Sequence, residues 1–297
     1  MRVSEFQNVS DFLFYHSQTQ SEEKTILEHL ASGKKINKPS DNPLDYHQSS
    51  NLKAEVAENA DFTKNIENMM SEFSIIESSL NGILEGLERA TELTVQGANE
   101  TYGANGRETI ANEIEEILNG IISTLNTRHE GHYLFAGTNT STEPFSAAGN
   151  YLGNSDTTSV RISQNDTMVN NIPGDDLAFG PGGAGSANDI IDLLQETVTE
   201  LRADNTSGIT TNLTRYKGTI ERINGVIASL GSKSTRLVNS LNFYQDFELN
   251  LKETISEMED TDLAEEISLL NQNKVTQEAQ LRSQSTIGQR TLLDYLG

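Results

Sequence analysis

Apolar residues recur at Phe62, Ile66, Met69, Phe73, Ile76, Leu80, Ile83, Leu87 and Ala90, in steps that alternate four and three. That alternation keeps side chains on one stripe of an α-helix. Sustained over four heptads, it marks a coiled-coil seam. Pro43 suits a first helical turn, so the pattern predicts a helix running from about residue 44 to 99. A longer seam runs through Ile209, Leu213, Tyr216, Ile220, Ile223, Ile227, Leu230, Ser234, Leu237, Leu241, Tyr244, Glu248, Leu251, Ile255 and Met258. Gly218, Gly225 and Gly231 lie off it, at about 1 kcal/mol each against Ala, so packing must hold this helix. At ~1.5 Å per residue each helix is on the order of 75–80 Å long, and two of matched length in one chain predict an antiparallel pair. Charge agrees: residues 44–98 hold ten acids and three bases, and 209–258 hold five acids and six bases.

Two shorter stripes complete a bundle: Ile110, Ile114, Ile117, Ile121, Leu125, and Ile191, Leu194, Val198, Leu201. Between them the pattern changes. Residues 136–189 carry eight of the 22 glycines and three of the five prolines, with β-like runs at His132–Phe135, Thr157–Ile162 and Thr167–Asn170. This reads as a small β-rich insertion, too small to be very stable alone.

The ends have sparser stripes, Phe6, Val9, Leu13, Leu27, Leu30 and Leu263, Ile267, Leu270, Leu281, interrupted by His16, Gln20, Glu23, Lys274 and Gln277. Leu292, Leu293, Tyr295 and Leu296 follow. The five-residue step from Met258 to Leu263 breaks the register, so the last helix is a unit of its own. Neither stripe holds a lone helix in water, which predicts loosely ordered terminal helices that order against partners. The expected fold is mainly α: an elongated antiparallel helical rod with a small β-rich insertion. Its segments are 1–43 (N-terminal assembly helix and loop), 44–135 (rod, first half), 136–189 (outer β-rich domain), 190–260 (rod, second half) and 261–297 (C-terminal assembly helix).

Composition narrows the function. With 21 basic and 44 acidic residues the formal charge is −23, which disfavours nucleic acid and anionic membrane surfaces as partners. The absence of Cys removes disulfides, thiolate zinc sites and cysteine nucleophiles. An apolar share of 35% without Trp suits a thin bundle better than a thick globule. No stretch approaches 18 apolar residues, and MRVSEFQNVSDFLFYHS lacks the apolar run and cleavage site of a conventional secretory signal. His129-Glu130-Gly131-His132 has the wrong spacing for a helical H-E-x-x-H zinc site. The glycine run 180–185 has no following Lys-Ser or Lys-Thr, and nothing orders a triad. The expectation is no catalytic residue, no metal and no cofactor.

Several segments together resemble a known family. Residues 31–45, with Gly33, Ile36, Asn37, Asp41 and Pro43, resemble the S-G-x-x-I-N-x-x-x-D-[DN]-P loop of the flagellin-like proteins. Asn42 stands where that family usually has Asp. Arg107 with Ile110, Ala111 and Glu113 resembles the opening of the family's third helix. Tyr133, Phe135, Gly137, Pro144 and Phe145 match a Y-[LI]-F-[AS]-G … P-F stretch of the branch found at the hook–filament junction, and the Leu-Leu-Asp-Tyr-Leu tail is similar to that branch's ending. The resemblance implies a non-enzymatic structural subunit of the bacterial flagellum, made in the cytoplasm and exported through the flagellar type III apparatus without signal cleavage. Its partners would be copies of itself, an adjacent junction protein and flagellin, and an export chaperone. A filament-type flagellin and a soluble coiled-coil adaptor are the competing readings.

Overall fold

The computed structural model describes residues 2–99 and 103–289. Along the chain run α1 (Arg2–Ser32), α2 (Pro43–Gly97), α3 (Ala104–Leu125), β1 (Arg128–His129), β2 (His132–Tyr133), β3 (Ser159–Ser163), β4 (Asp166–Val169), α4 (Gly174–Ala178), a 3-10 turn at Gly180–Gly182, α5 (Ile190–Arg202), α6 (Thr206–Glu259) and α7 (Leu263–Gln289). The chain divides into two compact units, one of residues 59–245 and one joining 1–58 with 246–297. α2 and α6 contribute to both.

In the 59–245 unit four helices close a ring. Arg89 binds Glu113, tying α2 to α3. Arg202 binds Glu115, tying α3 to α5. Asn212 donates to Thr197, tying α5 to α6. An aromatic contact ties α6 back to α2. Phe62 meets Tyr244 with ring centroids 5.5 Å apart. Low numbers of α2 thus face high numbers of α6, and the two run antiparallel. All nine residues of the first seam are buried, and six of them, with Leu193, Leu194 and Ile223, are fully excluded from solvent. At ~1.5–3 kcal/mol for each buried large side chain, this stripe dominates the unit's stability before ordering costs.

The second seam departs from its expectation. Ile209, Tyr216, Ile223, Leu230, Leu237, Tyr244 and Leu251, one residue in seven, are buried as predicted. The alternate row, Leu213, Ile220, Ile227 and Leu241, is only half-buried, and Asn212 and Thr219 take buried positions instead. A two-helix seam would keep the 4–3 register. Here α5 lies on one flank of α6 and turns the buried face towards itself. Polar residues are tolerated on that flank because they satisfy one another: Thr197 accepts from Asn212 and from Tyr216, both at 3.2 Å.

Two antiparallel hairpins follow α3, β1–β2 just ahead of residues 136–189, in the stretch expected to belong to the rod, and β3–β4 within them. β1–β2 turns through Glu130 and Gly131, both with positive φ (49° and 86°), the backbone a two-residue hairpin loop requires. β3–β4 carries a register shift between Arg161 and Ser163. Three arginines of α6 serve this region. Arg215 binds Asp192 and Glu196. Arg222 donates to the carbonyls of Leu177 (2.7 Å) and Asn188 (3.1 Å). Arg236 binds Asp166. The charge difference read as attraction between α2 and α6 instead seats α5 and the insertion on α6.

In the 1–58/246–297 unit α1 and α7 pack on each other, and residues 33–42 connect α1 to α2. Asp262 caps α7, accepting from Ala264 N (2.8 Å) and Glu265 N (3.2 Å). This cap is the physical content of the register break before Leu263.

Candidate assembly interface

The α1–α7 pair is arranged with its polar side inward. Asn273 donates to the Thr19 carbonyl at 3.2 Å, Gln280 to the Thr19 hydroxyl at 3.1 Å and Gln277 to Glu23 at 2.7 Å. His29 Nδ1 lies 2.8 Å from Glu266 Oε1. Thr19, Glu266 and Asn273 are buried. The polar interruptions at Glu23 and Gln277 therefore meet each other between the helices.

The apolar stripe residues point outward. Val9, Leu13, Leu27, Leu263, Ile267 and Leu281 are exposed, Leu13 to 59% and Ile267 to 52%. Leu30 and Leu270 are half-buried. Phe14, Tyr15, Leu269 and Val275, which the stripes did not include, are exposed as well. They lie beside the 4–3 positions, so only the width of the apolar face on the folded pair brings them in. The side chain of Phe6, and Leu292, Leu293, Tyr295 and Leu296, lie outside the described residues. The described parts of α1 and α7 are helical and packed on each other, and what they leave unsatisfied is apolar surface.

The loop after α1 is built by the motif residues. Gly33, at φ +72°, ends α1 in the left-handed region, and its N–H bonds to the His29 carbonyl at 2.8 Å. The Asp41 carboxylate accepts from the backbone N–H of Asn37 (3.0 Å) and Lys38 (2.9 Å), which holds its pKa below the usual carboxylate range. Asn37 donates to the Lys34 carbonyl, and Ile36 is buried. Asn42 accepts from Asp45 N at 3.3 Å, so the residue that departs from the family pattern still serves as cap ahead of Pro43.

This loop pairs with the start of the C-terminal segment. Lys35 N donates to the Glu259 carbonyl (2.7 Å) and Thr261 N to the Gly33 carbonyl (3.0 Å). The Glu259 side chain is buried and takes Lys34 (2.7 Å) and Lys53 as ion-pair partners. Burial raises its pKa, but hydrogen bonds from Lys34, Lys53 and Ser49 outweigh burial and bring it to about 2. The sequence marked Glu259 only as part of the register break. The two lysines carried no periodic signal, because their partner is more than two hundred residues away.

In the 59–245 unit the remaining motif residues close corners. Arg107 is buried, donating to the Gly97 carbonyl (2.8 Å) and pairing with Asp204, and so holds the end of α2 to the α5–α6 turn. Phe135 and Phe145 are fully buried, and Pro144 beside them is buried too. Asn126 clamps Phe145 through both of its backbone groups (2.8 and 2.9 Å). Gly137, at φ +69°, leaves no room for a Cβ, which would strike the Asn154 carbonyl. Tyr133 lies under the Arg128 guanidinium, 4.3 Å from ring centroid to carbon. The Tyr151 hydroxyl sits 3.0 Å from the Phe135 carbonyl; burial, with Asp175 nearby, pushes its pKa up to about 12. Arg107, Phe135, Gly137, Pro144 and Phe145 are packed into the fold, whereas the exposed apolar residues of α1 and α7 are the candidate interaction surface.

His129 and His132 face each other across the β1–β2 hairpin rather than on a helix end. Among the described residues no group of three His, Cys, Asp or Glu is placed to hold a metal ion. None of the described helices is long and apolar enough to cross a membrane.

A helical core with an inserted β region, and chain ends paired with apolar residues outward, defines a flagellin-type assembly subunit. The bacterial flagellin N-terminal helical region matches residues 4–140, and the bacterial flagellin C-terminal helical region matches residues 213–296. The chain belongs to the flagellin family, on its hook-associated protein 3 side. It is 24% identical over 264 residues to flagellar hook-associated protein 3 of Escherichia coli, covering 82% of this chain and 83% of that one. It is 28% identical over 153 residues to flagellar hook-associated protein 3 of Salmonella typhimurium, covering 51% and 48%. In fold it is similar to a putative flagellar hook-associated protein from Vibrio parahaemolyticus (TM-score 0.68, 21% identity, 74% of this chain and 100% of that one). Bacillus cereus FlgL is also similar (TM-score 0.61, 21% identity, 69% and 99%).

Proposed function

We propose that this structural flagellar subunit forms the junction between hook and filament. It is exported unfolded through the flagellar type III apparatus without signal cleavage, accompanied beforehand by an export chaperone. It assembles through α1 and α7 with copies of itself, with a neighbouring junction protein and with flagellin, and performs no catalysis. One observation carries the reading: the terminal pair buries polar side chains and exposes Val9, Leu13, Leu27, Leu263, Ile267 and Leu281. Large side chains left in water represent about 1.5–3 kcal/mol each that burial in an assembly recovers. Large apolar side chains left exposed on both helices of a pair fit an interaction site.

A strain lacking the gene tests this. The unaltered protein should restore attached filaments and swimming, whereas a Leu13→Ser, Ile267→Asp double variant should be exported and leave filaments unattached. Normal swimming with the double variant would refute the terminal-helix interface. A filament-type flagellin is separated by adding purified protein to filament seeds, since only that reading expects the seeds to lengthen.

A further inference from the structure

In the 59–245 unit, α2, the β1–β2 hairpin and the end of β4 enclose a cleft of about 280 Å³, whose lining includes Asn68, Ser71, Glu72, His129, Tyr133 and Asn170. Asn68, Ser71 and Glu72 are spaced three and four apart, so they share one face of α2, next to the buried Met69 and Phe73. Asn68 and Ser71 are exposed, whereas Glu72 and His129 are half-buried. Asn170 is fixed from two sides: its Oδ1 accepts from Thr158 Oγ1 at 2.6 Å, and its Nδ2 donates to Glu72 Oε2 at 3.2 Å. One oxygen of the Glu72 carboxylate is therefore occupied, and Oε1 makes no hydrogen bond to another described residue. Burial raises the Glu72 pKa, against the Asn170 hydrogen bond and the charge of His129, which lower it. The neighbouring Asn171 is buried and committed on both sides, accepting from Thr158 N (2.9 Å) and donating to the Asp156 carbonyl (3.1 Å), so this wall is set before anything binds.

The side chains of Asn68, Ser71 and His129 likewise make no hydrogen bond to another described residue. An amide and a hydroxyl each donate and accept, and a neutral imidazole donates at one nitrogen and accepts at the other. With Glu72 Oε1 as a further acceptor, donors and acceptors lie together on one lining. An anion is repelled by Glu72 and by Glu130, which also lines the cleft. A cation satisfies the carboxylates and leaves the donors idle. A neutral molecule dense in hydroxyls satisfies both kinds, because every hydroxyl donates and accepts, and Tyr133 adds aromatic surface for its C–H groups. The volume lies at the lower end of the ~300–1,000 Å³ usual for small-molecule sites, which suits one sugar ring. The histidine pair, placed without the third ligand that a metal ion needs, thus borders a different kind of site.

We propose that this cleft binds a single saccharide ring, free or at the end of a glycan, with Glu72 and His129 as its inner contacts and Asn68 and Ser71 as its outer ones. Two adjacent hydroxyls of the ring would bond the Glu72 carboxylate and the His129 imidazole. All of these residues lie in the 59–245 unit, so the site is independent of the α1–α7 interface and of the junction reading.

Purified full-length protein on an array of immobilised mono- and oligosaccharides tests this, followed by saturation-transfer NMR with the free monosaccharide that ends the retained glycans. The expected result is retention of glycans sharing one terminal sugar, with the free sugar competing. Asn68→Ala and His129→Ala should each weaken binding about tenfold, the worth of one hydrogen bond, and Glu72→Gln by a similar factor. Asn68→Ala sits at an exposed helix position where Ala favours the helix, so this variant folds, and unchanged circular dichroism checks it. Leu13→Ser should bind as the unaltered protein does, which separates the cleft from adsorption through the terminal helices. No glycan retained, retention equal in the Asn68 and His129 variants, or retention that the free sugar does not compete would each overturn the site and leave the junction reading standing.

Discussion

The four-helix unit and the α1–α7 pair solve helix packing in opposite ways. In the first, Ile66, Ile76, Leu80, Ile83 and Leu87 of α2 are wholly buried, and charged groups such as Glu85 and Glu88 stay outside. In the second, Thr19, Asn273 and Glu266 lie between the helices, and Leu13, Leu27, Ile267 and Leu281 face water. Both are helical, and both carry apolar stripes. The difference shows that a stripe says which residues want to be buried but not against what. The first unit satisfies its stripe within one chain. The second leaves its stripe facing water, the surface proposed above for assembly.

Four perturbations should separate the two regions, in descending order of effect on stability. Leu87→Ala should cost about 2–5 kcal/mol by opening a cavity in the buried seam, read as a lower midpoint of urea unfolding by circular dichroism. A midpoint shift near zero would mean α2 is not buried against its neighbours. Gly137→Ala forces a Cβ into the Asn154 carbonyl at positive φ and should cost about 1–3 kcal/mol, with faster proteolysis of the insertion and unchanged terminal helices.

Glu259 makes the loop contact depend on pH. Its folded pKa of about 2 lies below the ordinary 4.5, so its contribution is complete above about pH 5 and fades as pH falls from 4.5 towards 2. Hydrogen exchange at residues 33–37 and 257–261 should accelerate over that range, and Glu259→Gln should flatten the dependence. Identical profiles for the two proteins would remove Glu259 from the explanation. Leu13→Ser should change monomer stability by less than ~0.5 kcal/mol, because the side chain already faces solvent, while reducing incorporation into flagella. A large loss of monomer stability would place Leu13 in an intrachain core and break the contrast.

The seam from Phe62 to Ala90 and the helix starts near Pro43 and Leu263 were legible, because period, proline and caps are local signals. The rotation of the α6 buried face was not, since Asn212 and Thr219 become acceptable inside only when α5 arrives with Thr197. The motif residues Arg107, Phe135, Gly137 and Phe145 could be picked out through family resemblance, but their roles as corner anchors needed Asp204, Asn126 and Asn154, distant in sequence. Lys34, Lys53 and Glu259 gave no sign of belonging together.

The sequence by itself determined the helices, the acidic character and the apolar residues of the chain ends, because helix period and charge depend on neighbours a few positions away. Only the tertiary structure decided which face each helix turns inward, because that choice depends on partners brought by the fold. It placed polar groups between α1 and α7 and left their leucines and isoleucines outside, where another subunit can bury them.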